Sequence, residues 1–226
     1  AVLSVSGELP FIIQFLFVAI SSRVNDQVMD ELIPIAQTGI SENELKKAVR
    51  KTMKELREST TDSQAEESRA IASHVMKLPQ WQAADTVLLY SSLKGEVDTT
   101  LLLEAGCRSK RIVLPVVVGD KLVLREYRPE SLTIGYQGIM EPSEDCPVVD
   151  PSEVQLALIP GIAFDQWYHR LGRGKGFFDR LLPLLDCPKI GMGFSWQMID
   201  TVPVESHDIV LSGVVTPEHC YLPKIV

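Results

Sequence analysis

Residues 156–181, LALIPGIAFDQWYHRLGRGKGFFDRL, decide how the rest of the chain is interpreted. The run opens with four apolar residues and then reaches Pro160-Gly161, which predicts a short buried β-strand. A loop rich in glycine and cations follows, and Phe177-Phe178 predicts the start of a helix that extends to Leu185. Such a strand–loop–helix unit suits phosphate, because backbone N–H groups can approach the oxygens and the helix N-terminus is positive.

The loop fits neither of the two common nucleotide-binding patterns. GxxxxGK[ST] fails because Lys175 is followed by Gly176, and in GxGxxG the third glycine would have to come one residue later. The residues alone therefore leave two interpretations open, a phosphate loop and a plain surface turn. Arg170, Arg173 and Lys175 place three cations within six residues, which favours the phosphate loop.

The composition limits the class of protein and its partners. The chain has 226 residues, 45% hydrophobic and 23% charged, as expected for an α/β domain. Its net charge of −8 argues against nucleic-acid binding. The cysteines at 107, 146, 187 and 220 show no CxxC or zinc spacing, so we expect a reducing compartment, the cytoplasm.

Residues 1–43 are interpreted as an N-terminal extension of unknown role, and residues 44–226 as a single α/β domain. The apolar run 11–20, FIIQFLFVAI, is far shorter than the ~20 residues that a membrane helix needs. A signal peptide is disfavoured because the run lacks a preceding basic residue and a clear cleavage site. A buried helix, a partner contact and an added segment stay open. We expect no membrane partner.

Patterns along the domain predict alternating helices and strands. Ser41 and Glu44 have the spacing of a capping box, so a helix is predicted from there to about Arg57, and a second over 62–78. Strands are predicted at 86–92, 111–118, 122–127 and 189–195. Pro115 argues for an edge strand or a bulge. A hairpin turn at Gly119-Asp120 makes the sheet mixed rather than purely parallel.

Residues 128–153 are predicted to be loop, within which Tyr136, next to Gly135, could serve as a lid that stacks on a flat ring. Glu96 follows a predicted strand, where ligand groups gather in open α/β sheets, although a plain exposed carboxylate is the alternative. Asp179 either caps its helix or holds Mg²⁺ together with phosphate oxygens. The residues alone thus predict a phosphate-dependent enzyme without naming the acceptor.

The motif PGIAFDxxxxRLGRGKGFFDR, residues 160–180, resembles the hallmark of the 5-formyltetrahydrofolate cyclo-ligase family, also called methenyltetrahydrofolate synthetases. The resemblance covers about residues 44–216. It implies a Rossmann-like three-layer α/β fold with a mixed, mostly parallel sheet, like that of sugar-phosphate isomerases and CoA transferases. It also implies a ligase that cyclises 5-formyltetrahydrofolate to 5,10-methenyltetrahydrofolate with ATP and Mg²⁺, so that residues 44–226 are expected to form a single ATP/folate-binding α/β domain.

The resemblance assigns roles to individual positions. Catalysis falls to Arg173 and Lys175, and the magnesium carboxylates are Asp179 and Asp208. ATP binding falls to Lys46, Lys47, Arg50, Arg170, Leu171, Gly172, Arg173, Gly174, Lys175, Gly176, Phe177 and Phe178. Substrate binding falls to Ser91, Glu96, Tyr136, Arg173, Gly174, Lys175, Gly176 and Phe177. The chain departs from the family where Phe177-Phe178 replaces a pair that is usually tyrosine, and Tyr136 matches the lid aromatic only loosely.

Three alternatives stand beside this interpretation. The basic residues around Lys46 and Arg50 are also typical of a solvated helix face. A sugar-phosphate isomerase or CoA-transferase-like enzyme would use Glu96 as a general base without ATP. A noncatalytic nucleotide or folate sensor would bind without turnover. The expected partners are small molecules, and the oligomeric state, monomer or weak dimer, is left open.

Overall fold

The computed structural model describes residues 41–60 and 63–223. The helices are α1 (Glu42–Ser59), α2 (Gln64–Lys77), α3 (Pro79–Ala83), α4 (Thr100–Gly106) and α5 (Phe177–Leu181). The strands are β1 (Thr86–Leu88), β2 (Arg111–Val118), β3 (Lys121–Glu126), β4 (Leu132–Ile134), β5 (Met140–Pro142), β6 (Leu156–Pro160), β7 (Ala163–Phe164), β8 (Arg170–Leu171), β9 (Lys189–Met192), β10 (Gly213–Val215) and β11 (Cys220–Tyr221). The apolar run 11–20 lies outside the described residues.

A seven-stranded sheet organises the fold, in the order β11-β10-β9-β6-β1-β2-β3. The five central strands are parallel, whereas β3 and β11 pair antiparallel at the two edges. All five residues of β6 are buried, as expected for a strand with covered faces near the middle of a parallel sheet. The predicted mixed, mostly parallel α/β fold is confirmed.

Side chains on alternate positions of β6 enter two different cores. Leu156 and Leu158 pack with residues of α2 and α4 on one face of the sheet. Ala157 and Ile159 pack with Phe164 and residues of α5 on the other face. Successive strand residues point to opposite faces, so helices on both sides give three layers. Within 41–60 and 63–223, none of the helices combines the length and apolar character that crossing a membrane requires.

Helix α1 begins with the predicted capping box. The Ser41 side chain accepts from the Glu44 backbone N–H, and the Glu44 carboxylate accepts from the Ser41 N–H. The buried face of α1, through Val49 and Met53, packs against Leu171 and its neighbours in a third core cluster. The boundary predicted at residues 43/44 therefore falls inside the first turn of α1, and α1 lies beside the glycine-rich segment.

The interpretation of Pro115 as an edge or bulge residue was wrong. Strand β2 lies between β1 and β3, and its one-to-one register with β3 continues through Pro115 and Leu124. The Val113 carbonyl accepts from the Leu89 N–H, so Pro115, two residues further, also faces the β1 side. Strand β1 ends at Leu88 and does not extend opposite Pro115. The N–H that proline lacks is therefore not needed for a hydrogen bond to β1.

Other boundaries also differ from the predictions. Residues 128–153 are not all loop, because β4 and β5 form a small antiparallel hairpin with its turn around Tyr136. The predicted strands 86–92 and 189–195 end early, at Leu88 and Met192. Residues just past those ends, such as Leu89 and Phe194, are fully buried without belonging to a strand. An apolar run indicates which residues are buried, and here the buried residues continue past the last residue that forms sheet hydrogen bonds.

Candidate active site

Strand β6 delivers the chain to the carboxyl end of the parallel strands, where β7 and β8 form a short hairpin. Asp165 lies in its turn and is completely buried. Its Oδ1 accepts from the N–H groups of Trp167 at 2.9 Å and His169 at 3.0 Å. Its Oδ2 accepts from the Val202 N–H at 3.0 Å and lies 2.9 Å from His169 Nδ1. One carboxylate thus fixes the turn that positions Arg170.

The glycine-rich loop after β8 presents unpaired backbone donors. Gly174 has φ +87° and Gly176 has φ +70°, a left-handed conformation that glycine adopts without strain. Within the part of the chain that the structure describes, the N–H groups of residues 172–176 make no hydrogen bond to the protein. Lys175 is exposed beside them. The loop can therefore bind an anion through its amides without breaking an existing hydrogen bond.

On one side of the loop lies a large cavity of ≈ 300 Å³, hereafter the large cavity. Ser91, Glu96, Tyr136 and the loop line it, together with a mainly apolar group: Tyr90, Leu93, Pro115, Val117, Leu122, Ile139, Phe177 and Phe178. An apolar cleft with a few polar groups suits a flat, partly polar small molecule.

Glu96 and Arg173 form an ion pair at the edge of the large cavity. Arg173 Nε donates to Glu96 Oε1 at 2.8 Å, and Glu96 Oε2 accepts from the Leu93 N–H at 2.9 Å. The Glu96 side chain is 9% exposed, whereas that of Arg173 is 40% exposed. The two residues are 77 positions apart in sequence. The structure thus brings the predicted glutamate to the predicted loop.

The β4–β5 hairpin covers another side of the large cavity. The Tyr136 ring meets the Phe177 ring edge-on, with centroids 5.7 Å apart. Below the turn, Glu141 is buried, and desolvation raises the pKa of its carboxyl while backbone N–H groups of Tyr136 and Val117 oppose that rise. Gly135 fits there because a Cβ would collide with the Glu141 carboxylate. The hairpin is therefore anchored with its aromatic tip at the cavity.

On the other side of the loop lies a second cavity of ≈ 230 Å³, the polar cavity. Its residues are Asn43, Lys46, Arg50, Arg170, Leu171, Gly172, Gly174, Gly176, Asp179, Glu205, His207 and Asp208. Arg50 Nε donates to the Gly172 carbonyl at 2.9 Å and ties α1 to the loop. Burial lowers the pKa of Arg50, and the carboxylates of Asp179, Asp208 and Glu205 oppose that effect.

Two cations, Lys46 and Arg170, hold the carboxylates of the polar cavity in place. Lys46 Nζ donates to Asp208 Oδ2 at 2.6 Å and to Glu205 Oε2 at 2.7 Å, with 8% of the lysine side chain exposed. Burial acts to lower the pKa of Lys46, but the two carboxylates overcome it and the pKa is raised. Burial likewise acts to raise the pKa of Asp208, but Lys46 and the Glu205 N–H hold it below its usual value.

Arg170 is the second of these cations, and its Nη2 pairs with Asp179 Oδ1. Only 5% of the Arg170 side chain is exposed, and its guanidinium lies 5.7 Å from the centroid of the Phe178 ring. Burial lowers the pKa of Arg170, and Asp179 and Asp208 oppose the change. Both members of the pair line both cavities.

The donor set of the polar cavity fits Mg²⁺ only together with a phosphate ligand. Asp179 and Asp208 both line it. Among the described residues no group of three or more His, Cys, Asp or Glu side chains is arranged to hold a metal ion. Mg²⁺ is usually bound through one or two protein carboxylates plus substrate phosphate oxygens and water. Two carboxylates beside a loop of free amides match that preference.

Most of the predicted site residues lie around these two cavities, with one exception. Lys47 is exposed on α1 and lines neither cavity, because it follows Lys46 by one position and so points about 100° away around the helix. The sequence interpretation missed Glu205 and His207, although both belong to the segment VPVESHD that contains Asp208. It also missed Glu141, for which the predicted loop gave no periodic signal.

Comparison with known proteins places these observations in a family. The family model described as the 5-formyltetrahydrofolate cyclo-ligase family matches residues 42–217. The 5-formyltetrahydrofolate cyclo-ligase of Escherichia coli (strain K12) is 36% identical over 167 residues, which are 70% of this chain and 92% of that protein. A probable 5-formyltetrahydrofolate cyclo-ligase of Schizosaccharomyces pombe is 29% identical over 200 residues, 79% of this chain and 96% of that protein.

A solved structure agrees with the sequence relatives. The chain superimposes on 5,10-methenyltetrahydrofolate synthetase of Aquifex aeolicus with a TM-score of 0.74 and 33% identity. The match covers 80% of this chain and 94% of that one. Fold and sequence therefore point to the same group of ligases, as the motif at 160–180 predicts.

Proposed function

Because the chain belongs to the 5-formyltetrahydrofolate cyclo-ligase family, a family of ligases, we propose that it converts 5-formyltetrahydrofolate and ATP into 5,10-methenyltetrahydrofolate, ADP and phosphate. One observation carries the proposal. The glycine-rich loop separates a mainly apolar cavity from a polar, cation-lined one, and Arg170, Gly172, Gly174, Gly176 and Asp179 line both. A triphosphate in the polar cavity and a pterin in the large cavity would meet at this loop.

The chemistry needs an activated oxygen, because a formamide carbonyl is a poor electrophile. The formyl oxygen attacks the γ-phosphorus, the bond to the β-phosphate oxygen breaks, and ADP leaves. The lone pair of N10 then attacks the formyl carbon, the carbon–oxygen bond breaks and phosphate leaves. N10 loses its proton, so that the new ring carries the methenyl group between N5 and N10.

The residues at the loop supply positioning and charge. Lys175 and Arg173, together with free loop amides, would bear the negative charge that develops on the transferring phosphoryl group. Lys46 and Arg50, both of α1, would hold the other phosphates. Glu96, fixed by Arg173, would orient the pterin and formyl groups near N5. Tyr136 and Phe177 would cover the ring and exclude water, which could otherwise capture the activated formyl group.

Asp179 and Asp208 would hold Mg²⁺, which neutralises phosphate charge when it is bound. Asp208 forms an ion pair with Lys46, which also pairs with Glu205, and Asp179 forms one with Arg170. These ion pairs hold both carboxylates at the polar cavity. We also infer a reducing compartment such as the cytoplasm, since all four cysteines are free.

The test is an assay that measures both products, the methenyl compound and ADP. Protein, Mg²⁺, ATP and 5-formyltetrahydrofolate should give the absorbance of the methenyl product and an equal amount of ADP. The methenyl product should form only when ATP is present, and ADP should form only when 5-formyltetrahydrofolate is present. A sugar-phosphate isomerase or CoA-transferase-like enzyme would form no ADP that depends on 5-formyltetrahydrofolate, and a noncatalytic sensor would form neither product.

The variant Lys175→Ala tests the role of this lysine in the same assay. A cation on a transferring phosphoryl group can be worth on the order of 10³-fold in turnover, whereas loss of an exposed lysine should leave the free energy of unfolding within about 0.5 kcal/mol. The matched control is Lys77→Ala, an exposed lysine of α2 that lines neither cavity. Undiminished turnover of Lys175→Ala would contradict the assigned role.

A further inference from the structure

A third, small cavity of ≈ 50 Å³ lies between α1 and the chain around Glu96. The proposed mechanism leaves it without a role. Its walls include Arg50, Lys54, Arg57, Glu96, Arg173 and Trp196. Since a water molecule needs only about 10–15 Å³ of such space, the cavity has room for an ion larger than water.

Positive charge in the small cavity exceeds negative charge. Four of its residues are cations, and its one carboxylate, Glu96, is already paired with Arg173. Within 41–60 and 63–223, neither Lys54 nor Arg57 forms an ion pair. Cations gathered without carboxylate partners repel one another, and a bound anion would remove that repulsion.

The backbone is shaped to bring one of these cations to the cavity wall. Gly95 has φ +82°, and a Cβ there would lie 2.1 Å from Cδ of Arg57. Any other residue at this position would displace the arginine as well as strain the backbone. Gly95 thus lets the Arg57 side chain cross the chain directly before Glu96.

Trp196 supplies an independent observation. Its indole Nε1 is buried and has no hydrogen-bond partner among the described residues. Trp196 lines the small cavity, and its ring stacks on Phe194 with centroids 5.9 Å apart. Buried N–H groups in proteins are nearly always paired, so the unpaired indole of a residue that lines this cavity favours an acceptor bound beside Trp196.

The small cavity adjoins both parts of the active site. It shares Gly161, Glu96 and Arg173 with the large cavity, and Arg50 with the polar cavity. Glu96 and Arg173 therefore belong to the wall that the small cavity shares with the large cavity. The Arg173 side chain is 40% exposed and long enough to swing aside.

We propose that the small cavity is a binding site for inorganic phosphate, which it receives when phosphate leaves the formyl carbon. The claim that the phosphate comes from the reaction rests on the proposed function, whereas the claim that the cavity binds phosphate does not. Arg50, Lys54, Arg57 and the Trp196 indole supply only donors, and a tetrahedral oxyanion offers only acceptors. Binding there draws phosphate away from the ring-closed product and frees the loop for the next ATP.

The test is a calorimetric titration with inorganic phosphate in the absence of folate. A nonhydrolysable ATP analogue with Mg²⁺, whose own binding is measured first, fills the glycine-rich loop. The double variant Lys54→Gln/Arg57→Gln should weaken phosphate binding about tenfold or more, since a hydrogen bond to a charged group is worth at least that much. The control Arg69→Gln/Lys77→Gln removes the same charges from exposed positions of α2 and should change nothing.

Two readouts locate the ion. Phosphate should alter the tryptophan fluorescence of the wild type but much less that of Trp196→Phe, while circular dichroism confirms that each variant is folded. Two results would refute the site: displacement of phosphate by the ATP analogue, and equal phosphate affinity of the double variant and the wild type. Binding of glutamate instead of phosphate would also refute it and would assign the cavity to a carboxylate. If the protein forms the methenyl product but does not bind phosphate, only the phosphate site is refuted. If the protein does not form the methenyl product, the proposed function is refuted.

Discussion

Removal of the Asp165 carboxylate should destabilise the protein by several kcal/mol, about 4 as worked out below. Asp165 is completely buried and accepts from three backbone N–H groups, those of Trp167, His169 and Val202. These bonds join the β7–β8 turn to the segment that approaches the polar cavity. Asp165→Ala breaks all three bonds at once and also removes the partner of the His169 ring.

The magnitude follows from the donors that are left behind. A hydrogen bond to a charged group contributes about 1.5–3 kcal/mol net, and a buried donor without an acceptor costs about 1–3 kcal/mol. The Val202 bond is buried, whereas the bonds of Trp167 and His169 are partly buried, so water can replace some of the loss. We expect about 4 kcal/mol for Asp165→Ala, a large part of the roughly 5–15 kcal/mol that holds a domain folded.

The measurement is urea unfolding followed by circular dichroism, with Asp165→Asn and Asp200→Ala as comparisons. Asparagine keeps one acceptor oxygen and should lose about half as much stability, on the order of 2 kcal/mol. Asp200 is exposed, so its replacement should cost no more than about 0.5 kcal/mol. A loss below about 1 kcal/mol for Asp165→Ala, or equal losses at Asp165 and Asp200, would refute the reasoning.

Three further outcomes are expected. The depressed pKa of Asp208, whose ordinary value is 3.8, adds stability above that value that is lost as the pH falls further. The free energies of unfolding of wild type and Asp208→Asn should therefore differ at pH 7, and the difference should shrink as the pH falls below 3.8; a constant difference would argue against the pair with Lys46. Gly174→Ala and Gly119→Ala, both at positive φ, should each lose about 1 kcal/mol, but only Gly174→Ala should lose turnover; equal turnover would exclude a close ligand at the loop. Tyr136→Leu should raise KM for the folate several-fold, since ring contacts are worth about 0.5–1.5 kcal/mol, and Tyr136→Phe should match wild type; an unchanged KM in both would remove Tyr136 from the site.

Features that depend on neighbours in the chain were predictable. The capping box of Ser41 and Glu44, the buried strand before Pro160 and the hairpin turn at Gly119 are each fixed by local geometry and local hydrogen bonds. The glycine-rich loop belongs to the same class, because positive φ at Gly174 is a preference of the residue itself. Such patterns also carry the family resemblance, since they are contiguous in the motif.

The hairpin that carries Tyr136 was not predictable from its own residues. Strands β4 and β5 have three residues each, too few to show an alternating pattern among Pro, Gly and charged neighbours. Its position depends on Glu141, whose carboxylate meets backbone N–H groups of both Tyr136 and Val117. Pro115 misled for a related reason, because the length of β1, and not of β2, decides whether a proline is tolerated there.

The sequence by itself determined the local units of this protein: the strand, the loop with its cations, the capped helix and the tight turn. Only the tertiary structure decided that Lys46 meets Glu205 and Asp208, 159 and 162 positions away, and that Arg173 meets Glu96. The reason is that parallel strands joined by crossovers bring their carboxyl ends to one edge of the sheet. Which distant side chains meet there depends on strand order and helix packing, which no local pattern specifies.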